Sequence, residues 1–455
     1  MRISGVVKRR EPETATIDAM MHDGRGIATI DGKKVFVPGA LPGEQVRLLR
    51  RKMRRGYDEA DLLEILAPLP ERIMPRCAVF GVCGGCTLQH VDAADQRAMK
   101  QKSLADCLER IGGIGPERWL DPVFDPEPEG NWQYRRRARL AVKDVAGKGR
   151  VLVGFRERRA ALVTDMHRCE ILAPPFGSLI DALSELIGEL GIRARLPQIE
   201  VAVADNAVEL VFRVLDPPAE EDRARLERFG NEHGVRISLQ PGGIDSVTPL
   251  VGDAACDALY YELPEFDVRI RFQPTDFVQV NGSVNRRMVA AAVDLLQLRE
   301  TDHVLDLFCG IGNFSLPIAR RAAFVLGIEG EAAQVTRAAQ NAALNGIGNC
   351  EFRCSDLAAV DTGSSWLRQS WDRVLLDPPR SGAEEVMRHM GKIGATRVVC
   401  VSCHPATLAR DAGILTKGQG YRLEAAGIID MFPHTAHVEA IAVFSKRDLH
   451  PKRTT

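Results

Sequence analysis

The alternation of short apolar runs with amphipathic stretches in the C-terminal part constrains the fold of this chain most strongly. From Val268 onward, strand-like runs rich in β-branched residues alternate with runs of helical periodicity. The alternation predicts a doubly wound, Rossmann-like α/β domain, which we assign to residues 263–455. The strand-like runs are 304–308, 324–328, 374–376 and 398–401, and the helical runs are 314–322, 332–344 and 384–390. Such sheets bind ligands at the carboxyl ends of their strands, so the residues following each run are candidates for a site.

A glycine-containing turn follows the first of these strands, in residues 306–313. Gly310 and Gly312 let the backbone approach a ligand closely, and Glu329 ends the next strand, where a carboxylate suits a ribose diol. The segment has neither the Gly-Lys-Ser/Thr of a phosphate loop nor the third glycine of a dinucleotide fingerprint. The pattern therefore favours S-adenosylmethionine over NAD as the bound nucleoside.

Carboxylates follow two further strand-like runs. Asp356 comes after the run 350–353, although this residue alone fits a plain turn equally well. Asp377 follows the run 374–376 and precedes Pro378-Pro379-Arg380, a rigid segment that would hold a polar group at the mouth of a pocket. We therefore interpret the segment that begins at Asp377 as functional.

A cysteine follows the last strand-like run of the predicted parallel sheet. Cys403 lies between this run and Pro405, where a thiol would lie beside the bound nucleoside. A thiol in that place suggests a cysteine nucleophile. Cys400, three residues earlier and inside the apolar run, is interpreted as a core residue.

The first 68 residues predict a small β-barrel of the oligonucleotide-binding type, because short apolar runs alternate there with glycine turns. Asp31-Gly32 separates two strand-like runs, which is a strong hairpin signal. A basic run lies between Arg47 and Arg55, and residues 131–160 hold ten Lys or Arg and two acidic residues, a local net charge of +8. The whole chain has a formal charge of -1, so the two patches favour contact with RNA or DNA through local rather than net charge.

The eleven cysteines and the absence of a signal-peptide pattern predict a reducing, cytoplasmic location, and no apolar run predicts a membrane span. Cys77, Cys83 and Cys86 have the close spacing of metal ligands. Their thiolates suit either zinc or an iron–sulfur cluster, and spacing alone leaves both open. Residues 69–262 are predicted to form a central α+β domain. Within it, a helix over 92–114 is a candidate to pack on the C-terminal domain.

The motifs together resemble those of the RNA 5-methyluridine methyltransferases, and the resemblance covers nearly the whole chain. The segments that carry it are 277–281, 306–313, 327–330, 377–380, 401–405, 430–435 and 437–439. The resemblance implies an N-terminal RNA-binding TRAM barrel, S-adenosylmethionine as methyl donor, Cys403 as nucleophile and Glu439 as base. It also implies that the cofactor is contacted by Gln279, Phe308, Asn313, Glu329, Asp356 and Asp377.

The resemblance is strongest to the branch that acts on 23S ribosomal RNA. Membership would imply a [4Fe-4S] cluster in the central domain. The implied ligands are Cys77, Cys83, Cys86 and Cys169. Cys107 and Cys256 are weaker rivals of Cys169 as the fourth ligand. The expected reaction is C5 methylation of a specific uridine of the uracil-1939 type, flipped out of a single-stranded or loop region, by a monomeric protein.

Several alternatives remain at this point. The substrate could be a uracil of tRNA or of another ribosomal RNA site. The chain could also be a non-catalytic RNA-binding assembly factor, although intact Cys403 and Glu439 argue against that reading. A third alternative, an amino-group methyltransferase that uses the segment from Asp377 to Arg380, would not need Cys403.

Overall fold

The N-terminal strands close into a small barrel. The structure is a computed structural model, and it describes residues 11–21, 23–252 and 258–446. The barrel strands are β1 (Glu13–Met20), β2 (Arg25–Ile30), β3 (Lys33–Pro38), β4 (Gln45–Met53) and β5 (Tyr57–Ala67). They are arranged in the order β1-β2-β3-β5-β4. The predicted hairpin is confirmed: β2 pairs with β3 antiparallel, and Asp31 and Gly32 in the turn have φ of 52° and 74°.

A helix connects the barrel to the rest of the molecule. The segment predicted as a helix over 92–114 forms α1 (Ala93–Cys107) and continues as a π-helix over Leu108–Gly112. Leu104 and Leu108 are fully buried in the same apolar cluster as strands of the C-terminal sheet. The helix therefore packs on the C-terminal domain, although residues of the central domain flank it in sequence.

The central domain is built on a six-stranded sheet. The next strands along the chain are β6 (Arg118–Trp119), β7 (Arg137–Val145), β8 (Arg150–Gly154), β9 (Gln198–Val203), β10 (Val208–Arg213), β11 (Arg236–Gln240) and β12 (Thr248–Pro249). All of these except β6 form one sheet in the order β12-β11-β10-β9-β7-β8. Helices α2 (Ile180–Glu189) and α3 (Glu220–His233) contribute buried side chains to the same core as these strands. This is the predicted α+β arrangement.

The C-terminal domain is the doubly wound α/β structure that the alternation predicts. Its strands are β13 (Leu259–Leu263), β14 (Val268–Phe272), β15 (His303–Leu307), β16 (Phe324–Glu329), β17 (Cys350–Cys354), β18 (Arg373–Leu376), β19 (Arg397–Ser402), β20 (Tyr421–Ile429) and β21 (Glu439–Lys446). Its helices are α4 (Gly282–Leu296), α5 (Ser315–Ala319), α6 (Ala332–Leu344), α7 (Glu384–Ile393) and α8 (Pro405–Gly418). The main sheet has the order β17-β16-β15-β18-β19-β21-β20-β6. The strands from β17 to β19 are parallel, and β21 is antiparallel to both of its neighbours.

The C-terminal domain takes in residues that precede its predicted start at residue 263. β13 and β14 form an antiparallel hairpin that crosses this point. Leu259 in β13 and Ile270 in β14 are buried in one cluster with α4. The short strand β6 also pairs with β20 at the edge of the main sheet. Because both strands of the hairpin bury apolar side chains in one cluster with α4, the whole hairpin belongs to the C-terminal domain.

The basic patches carry less free charge than the sequence suggests. Arg47 pairs with Glu64 on the neighbouring strand at 3.0 Å, and Arg139 pairs with Glu200 at 2.9 Å. Acidic partners distant in sequence thus neutralise part of each patch. In residues 11–21, 23–252 and 258–446, none of the helices has the length and apolar character needed to cross a membrane.

Candidate active site at the carboxyl edge of the parallel sheet

Five adjacent parallel strands each place one predicted site residue at the same edge of the sheet. Taken in the order β17-β16-β15-β18-β19, the residues at or just beyond the strand ends are Asp356, Glu329, Phe308, Asp377 and Cys403. Neighbouring strands lie about 4.8 Å apart, so the row extends over about 19 Å. This is the edge at which open α/β sheets bind ligands, and the row is long enough for a nucleoside with an amino acid attached.

The antiparallel strand β21 brings Glu439 to the end of β19. In the β19–β21 pairing, Ser402 lies opposite Ala440. One further step of this register places Cys403 beside Glu439, the first residue of β21. The predicted nucleophile and the predicted base, 36 positions apart in sequence, are therefore neighbours across two strands.

Glu439 is buried, and the residue as a whole is only 3% exposed. Burial, reinforced by the charge of Asp377, raises the pKa of Glu439 to about 8, and Arg380 opposes this shift. Burial also raises the pKa of Asp377 to about 7. A carboxyl group with so high a pKa is a far stronger base than an exposed glutamate, and its pKa lies near working pH, which suits general-base catalysis.

Cys403 is half-buried and faces the two carboxyl groups. Burial raises the pKa of its thiol to about 11, with contributions from Glu439 and Asp377, while Arg380 lowers it. Burial and the two carboxyl groups therefore favour the neutral thiol, and positive charge near the sulfur would favour the reactive thiolate. Cys400 differs from Cys403, because it is 1% exposed and packs in the core of the sheet.

The glycine turn after β15 has the backbone conformation that such a motif needs. Phe308, Gly310 and Gly312 all have positive φ, at 64°, 55° and 97°. A positive φ is unusual for a phenylalanine, and such strained positions cluster at ligand sites. The Phe308 amide donates to the Ile328 carbonyl at 2.9 Å, which holds the start of the turn against β16.

The Glu329 carboxylate ties the end of β16 to the glycine turn. One of its oxygens accepts a hydrogen bond from the Gly310 amide at 3.1 Å. The other accepts from the Gly330 amide at 2.7 Å and from the Glu331 amide at 3.2 Å. The carboxylate is thus fixed by backbone donors at the place where the sequence predicts a ribose contact.

Asn313 belongs to a small hydrogen-bonded group beside the turn. Its side-chain oxygen accepts from the Tyr261 hydroxyl at 2.9 Å and from the Asn285 amide at 3.1 Å, and its amide donates to the Asn285 oxygen at 3.1 Å. Gln279 lines a small cavity together with Tyr261 and Asn285. Tyr261 and Asn285 are thus positioning residues that the sequence analysis missed, since neither lies in a recognisable motif.

Asp356 and Asp306 differ in their surroundings. Asp356 is exposed, and its side chain accepts from the Ala358 amide at 2.8 Å in the turn after β17. Asp306 is fully buried and accepts a hydrogen bond from the Ser315 hydroxyl, while its other oxygen has no partner among the described residues. Burial raises the pKa of Asp306 to about 7. The sequence identified Asp306 only as the start of the glycine motif, and its buried carboxyl was not predicted.

The four predicted metal-binding cysteines line one cavity in the central domain. The cavity is walled by aromatic and apolar side chains, including Phe80, Phe155 and Met166, and all four thiols are free. The four are Cys77, Cys83, Cys86 and Cys169. Burial raises the pKa of Cys86 to about 12 and that of Cys169 to about 11, with contributions from neighbouring thiols.

The four thiols are the type of ligand that a soft metal centre takes. The Gly85 amide points at the Cys83 sulfur at 3.4 Å, as a donor to a thiolate would. Within the described parts of the chain, no three metal-type side chains are grouped closely enough to hold a metal ion. The rival ligand Cys256 lies outside the described residues, and Cys107 lies against the C-terminal core rather than in this cavity.

Comparisons with known proteins agree with the domain organisation. Residues 260–447 match the family model described as tRNA (Uracil-5-)-methyltransferase, and residues 7–63 match that of the TRAM domain. A solved tRNA (uracil-54, C5)-methyltransferase of Pyrococcus abyssi, in complex with S-adenosyl-L-homocysteine, has the same fold with a TM-score of 0.72. It is 23% identical and covers 95% of this chain and 99% of its own.

Curated relatives match along nearly the whole chain. One from Methylococcus capsulatus is 49% identical over 436 residues, which is 96% of this chain and 97% of the relative. Another from Alkalilimnicola ehrlichii is 49% identical over 437 residues, with the same coverage. Both are named 23S rRNA (uracil(1939)-C(5))-methyltransferase RlmD. The chain therefore belongs to the RNA 5-methyluridine methyltransferase family, in the branch whose members are named RlmD.

Proposed function

We propose that this protein methylates C5 of a uridine in 23S ribosomal RNA with S-adenosylmethionine as the methyl donor. The observation that carries the proposal is the register of β19 and β21, in which Ser402 pairs with Ala440, so that Cys403 and Glu439 follow as neighbours at the next position. The names of the full-length relatives support 23S rRNA as substrate and a uracil of the 1939 type as target. The TRAM barrel supports RNA as the partner.

The chemistry divides between the two residues. The Cys403 thiolate adds to C6 of the uracil, and the resulting enolate makes C5 nucleophilic enough to attack the methyl group. A C5–CH3 bond forms while the sulfonium–CH3 bond breaks. The Glu439 carboxylate then removes the C5 proton, the C5=C6 double bond re-forms, and the Cys403 thiolate leaves. The products are 5-methyluridine, S-adenosylhomocysteine and one proton.

The residues along the carboxyl edge fit the methyl donor. S-adenosylmethionine supplies an electrophilic methyl group on a positively charged sulfur. The glycine turn allows close approach of backbone, Glu329 presents a fixed carboxylate, and buried Asp306 has an oxygen without a partner in the described structure. Gln279 and Asn313 would complete one end of the site, with Asp377 at the other.

The target uridine must leave its stack, because the C6 face of a stacked base is inaccessible to a thiol. Phe277 is 73% exposed and lies two residues before Gln279. An exposed aromatic ring at a base-binding site suits stacking against RNA. The substrate would therefore be a single-stranded or loop region. We also propose that the protein binds it as a monomer and acts in the cytoplasm.

The cysteine cavity is the place for a [4Fe-4S] cluster in this proposal. Four thiols that line one cavity, three of them buried and that of Cys77 half-buried, are the donor set that iron–sulfur clusters require. A single zinc ion would use the same ligand type, so the thiols alone leave the choice between zinc and the cluster open. The resemblance to the ribosomal branch favours the cluster.

RNA that carries 5-fluorouridine tests the reaction. Fluorine at C5 cannot leave as a proton does, so thiol addition and methyl transfer should leave the RNA bonded to the protein. We expect an adduct that survives denaturing electrophoresis with a 23S fragment around uracil 1939, and its loss in Cys403→Ala. Cys107→Ala, a half-buried cysteine outside the site, is the matched control and should retain it.

Three results would contradict the proposal. A wild-type protein that forms no adduct in the presence of S-adenosylmethionine would favour a non-catalytic RNA-binding role. An undiminished adduct in Cys403→Ala would move the nucleophile elsewhere. Equal or faster reaction with tRNA than with the 23S fragment would reassign the substrate within the family.

A further inference from the structure

The segment that leads into Glu439 is held by residues from outside the C-terminal domain. We call residues 430–437, between β20 and β21, the base loop. His434 in this loop has a positive φ of 63° and is 3% exposed. Its ring stacks on Trp132, with centroids 3.8 Å apart, and the Tyr134 hydroxyl donates to the Pro433 carbonyl at 3.0 Å. Most of the loop is therefore buried and held by side chains from other parts of the chain, with His437 exposed at its end.

Lys100 on α1 forms a buried ion pair with the first residue of the base loop. Its ammonium lies 2.6 Å from the Asp430 carboxylate and donates to the Phe432 carbonyl at 2.9 Å. The two side chains are 2% and 1% exposed. A lysine is almost never so completely buried without a specific partner, because removing its charge from water is costly. The pair thus couples α1 rigidly to the start of the loop.

Gln96, one turn earlier on α1, joins the base loop to the cysteine segment. Its side-chain oxygen accepts from the His434 amide at 2.8 Å, and its amide group donates to the carbonyls of Leu88 and Val91 at 3.1 and 2.8 Å. The amides of Thr87 and Leu88 in turn both donate to the His434 carbonyl at 2.9 Å. The residues directly after Cys86 are therefore bonded to the His434 carbonyl, and Gln96 is bonded to the His434 amide.

From these contacts we infer that Lys100 and Gln96 are positioning residues for the catalytic base, and the inference rests on the function proposed above. They fix the base loop, and the loop sets where Glu439 lies relative to C5 of the bound uracil. Glu439 begins β21 and pairs with Ile429, the last residue of β20, so the base loop joins the two strand ends at the base, whereas Cys403 follows β19 and has no part in the loop. Loosening the loop should therefore impair proton removal far more than thiol addition.

A defect in proton removal has a distinct chemical signature. When the C5 proton stays, the C5=C6 double bond cannot re-form and the Cys403 thiolate cannot leave. The methylated uridine then remains bonded to the protein even though its C5 carries hydrogen rather than fluorine. A variant with a mispositioned base should therefore accumulate, on ordinary uridine RNA, the covalent adduct that the wild type releases.

The experiment compares Lys100→Met, Lys100→Met combined with Asp430→Asn, and Gln96→Leu with the wild type. The double variant removes the tether without leaving an unpaired buried carboxylate, so it separates positioning from unfolding. Lys102→Met is the matched control, because Lys102 lies on the same helix, is 75% exposed and pairs only along the helix with Asp106 in the described structure.

Turnover and adduct formation are measured for each protein on uridine RNA and on 5-fluorouridine RNA. We expect turnover to fall at least tenfold in the three variants. The adduct on uridine RNA should accumulate, and that on 5-fluorouridine RNA should form at a rate close to wild type. Lys102→Met should resemble the wild type on both RNAs.

Each opposing result has its own meaning. Turnover close to wild type in the double variant and in Gln96→Leu would overturn the inference. Loss of the adduct on both RNAs would overturn it as well, because the loop would then support the whole site rather than the base. If the wild type itself gives no adduct on 5-fluorouridine RNA, the proposed function fails, and the inference fails with it.

Discussion

Arg380 is a cation that acts on two acidic groups of the site, Cys403 and Glu439. It is exposed at the end of the Asp377-Pro378-Pro379 segment, and the Thr407 hydroxyl donates to its carbonyl at 3.2 Å. Its charge lowers the pKa of both Cys403 and Glu439, against the effect of burial. Arg380 therefore increases the fraction of thiolate and of carboxylate, the two forms that the reaction needs.

Arg380→Ala should move the pH profile of the reaction toward higher pH. In the free protein kcat/KM should rise with pH, because burial raises the pKa of Glu439 to about 8 and that of Cys403 to about 11, and both must lose a proton. Without the guanidinium both pKa values rise further, so the ascending limb should shift up by as much as about one pH unit.

Initial rates between pH 6 and 10 measure the shift. The exposed Arg388→Ala on α7 should leave the profile in place, and an unshifted profile in Arg380→Ala would refute the electrostatic role.

At the residue scale, motifs predict the positions of site residues better than the contacts that fix them. Glu329 was predictable as a carboxylate at a strand end, but its bonds to the Gly310 and Glu331 amides follow from the turn geometry. Tyr261 and Asn285 escaped prediction because they reach Asn313 only after the β13–β14 hairpin has packed on α4. Such long-range contacts leave no local pattern in a single sequence.

Among the elements, the π-helix at the end of α1 makes an unusually close contact with α8, the helix that begins just after Cys403. A Cβ added to Gly112 would lie 2.8 Å from the Ala409 carbonyl oxygen in α8. Backbone cannot yield as a flexible side chain does, so the two elements would have to separate. Glycine at this position lets α1 approach the catalytic core closely.

Gly112→Ala should destabilise the protein by about 1–3 kcal/mol, the usual cost of forcing extra volume into a packed contact. Gly115→Ala is the control, because nothing lies within 4 Å of the added methyl group. Urea or thermal denaturation of the two variants measures the difference. If the two variants are equally stable, the α1–α8 contact accommodates the added methyl group without a loss in the free energy of unfolding.

The order of elements explains which parts of the fold a sequence can predict. The strand–helix alternation and the Asp31-Gly32 hairpin are local patterns, and both are present in the structure. The position of β21 between β19 and β20 cannot be predicted from a local pattern, because it depends on which edge of the sheet is open to the last two strands of the chain. Resemblance to a family implied the role of Glu439, but only this strand order explains how it reaches Cys403.

For the whole molecule, local charge counts exaggerate the basic surface. The segment 131–160 has a net charge of +8, yet its arginines find partners far away in sequence. Arg159 pairs with Asp61 of the barrel, and Arg136 pairs with Asp205 of the central domain. These pairs link domains or strands, so part of the charge stabilises the assembly rather than attracting RNA. No sequence window could reveal this, because the partners come together only in the fold.

The cysteine cavity and the active site are connected through the chain between them. Cys86 lines the cavity, and Thr87 and Leu88 directly after it hold the His434 carbonyl of the base loop. A metal centre that fixes Cys86 would therefore also fix the donors that position the loop. Because metal binding and folding are coupled, loss of such a centre should loosen the base loop and disturb the position of Glu439, the proposed base.

Cys86→Ser should abolish binding of the [4Fe-4S] cluster that we propose for the cavity and slow proton removal together. Since ligation of Cys86 would fix the segment that follows it, we expect iron and sulfide content to fall and turnover to decrease. Addition of Cys403 to 5-fluorouridine RNA should continue, because β19 does not depend on the cavity. Iron and sulfide analysis of anaerobically prepared protein, with the adduct assay on the same samples, measures both effects.

Cys107→Ser, outside the cavity, should keep its iron and its turnover. Wild-type protein that binds zinc without iron would refute the cluster, and an iron-free Cys86→Ser with full turnover would refute its coupling to the base loop.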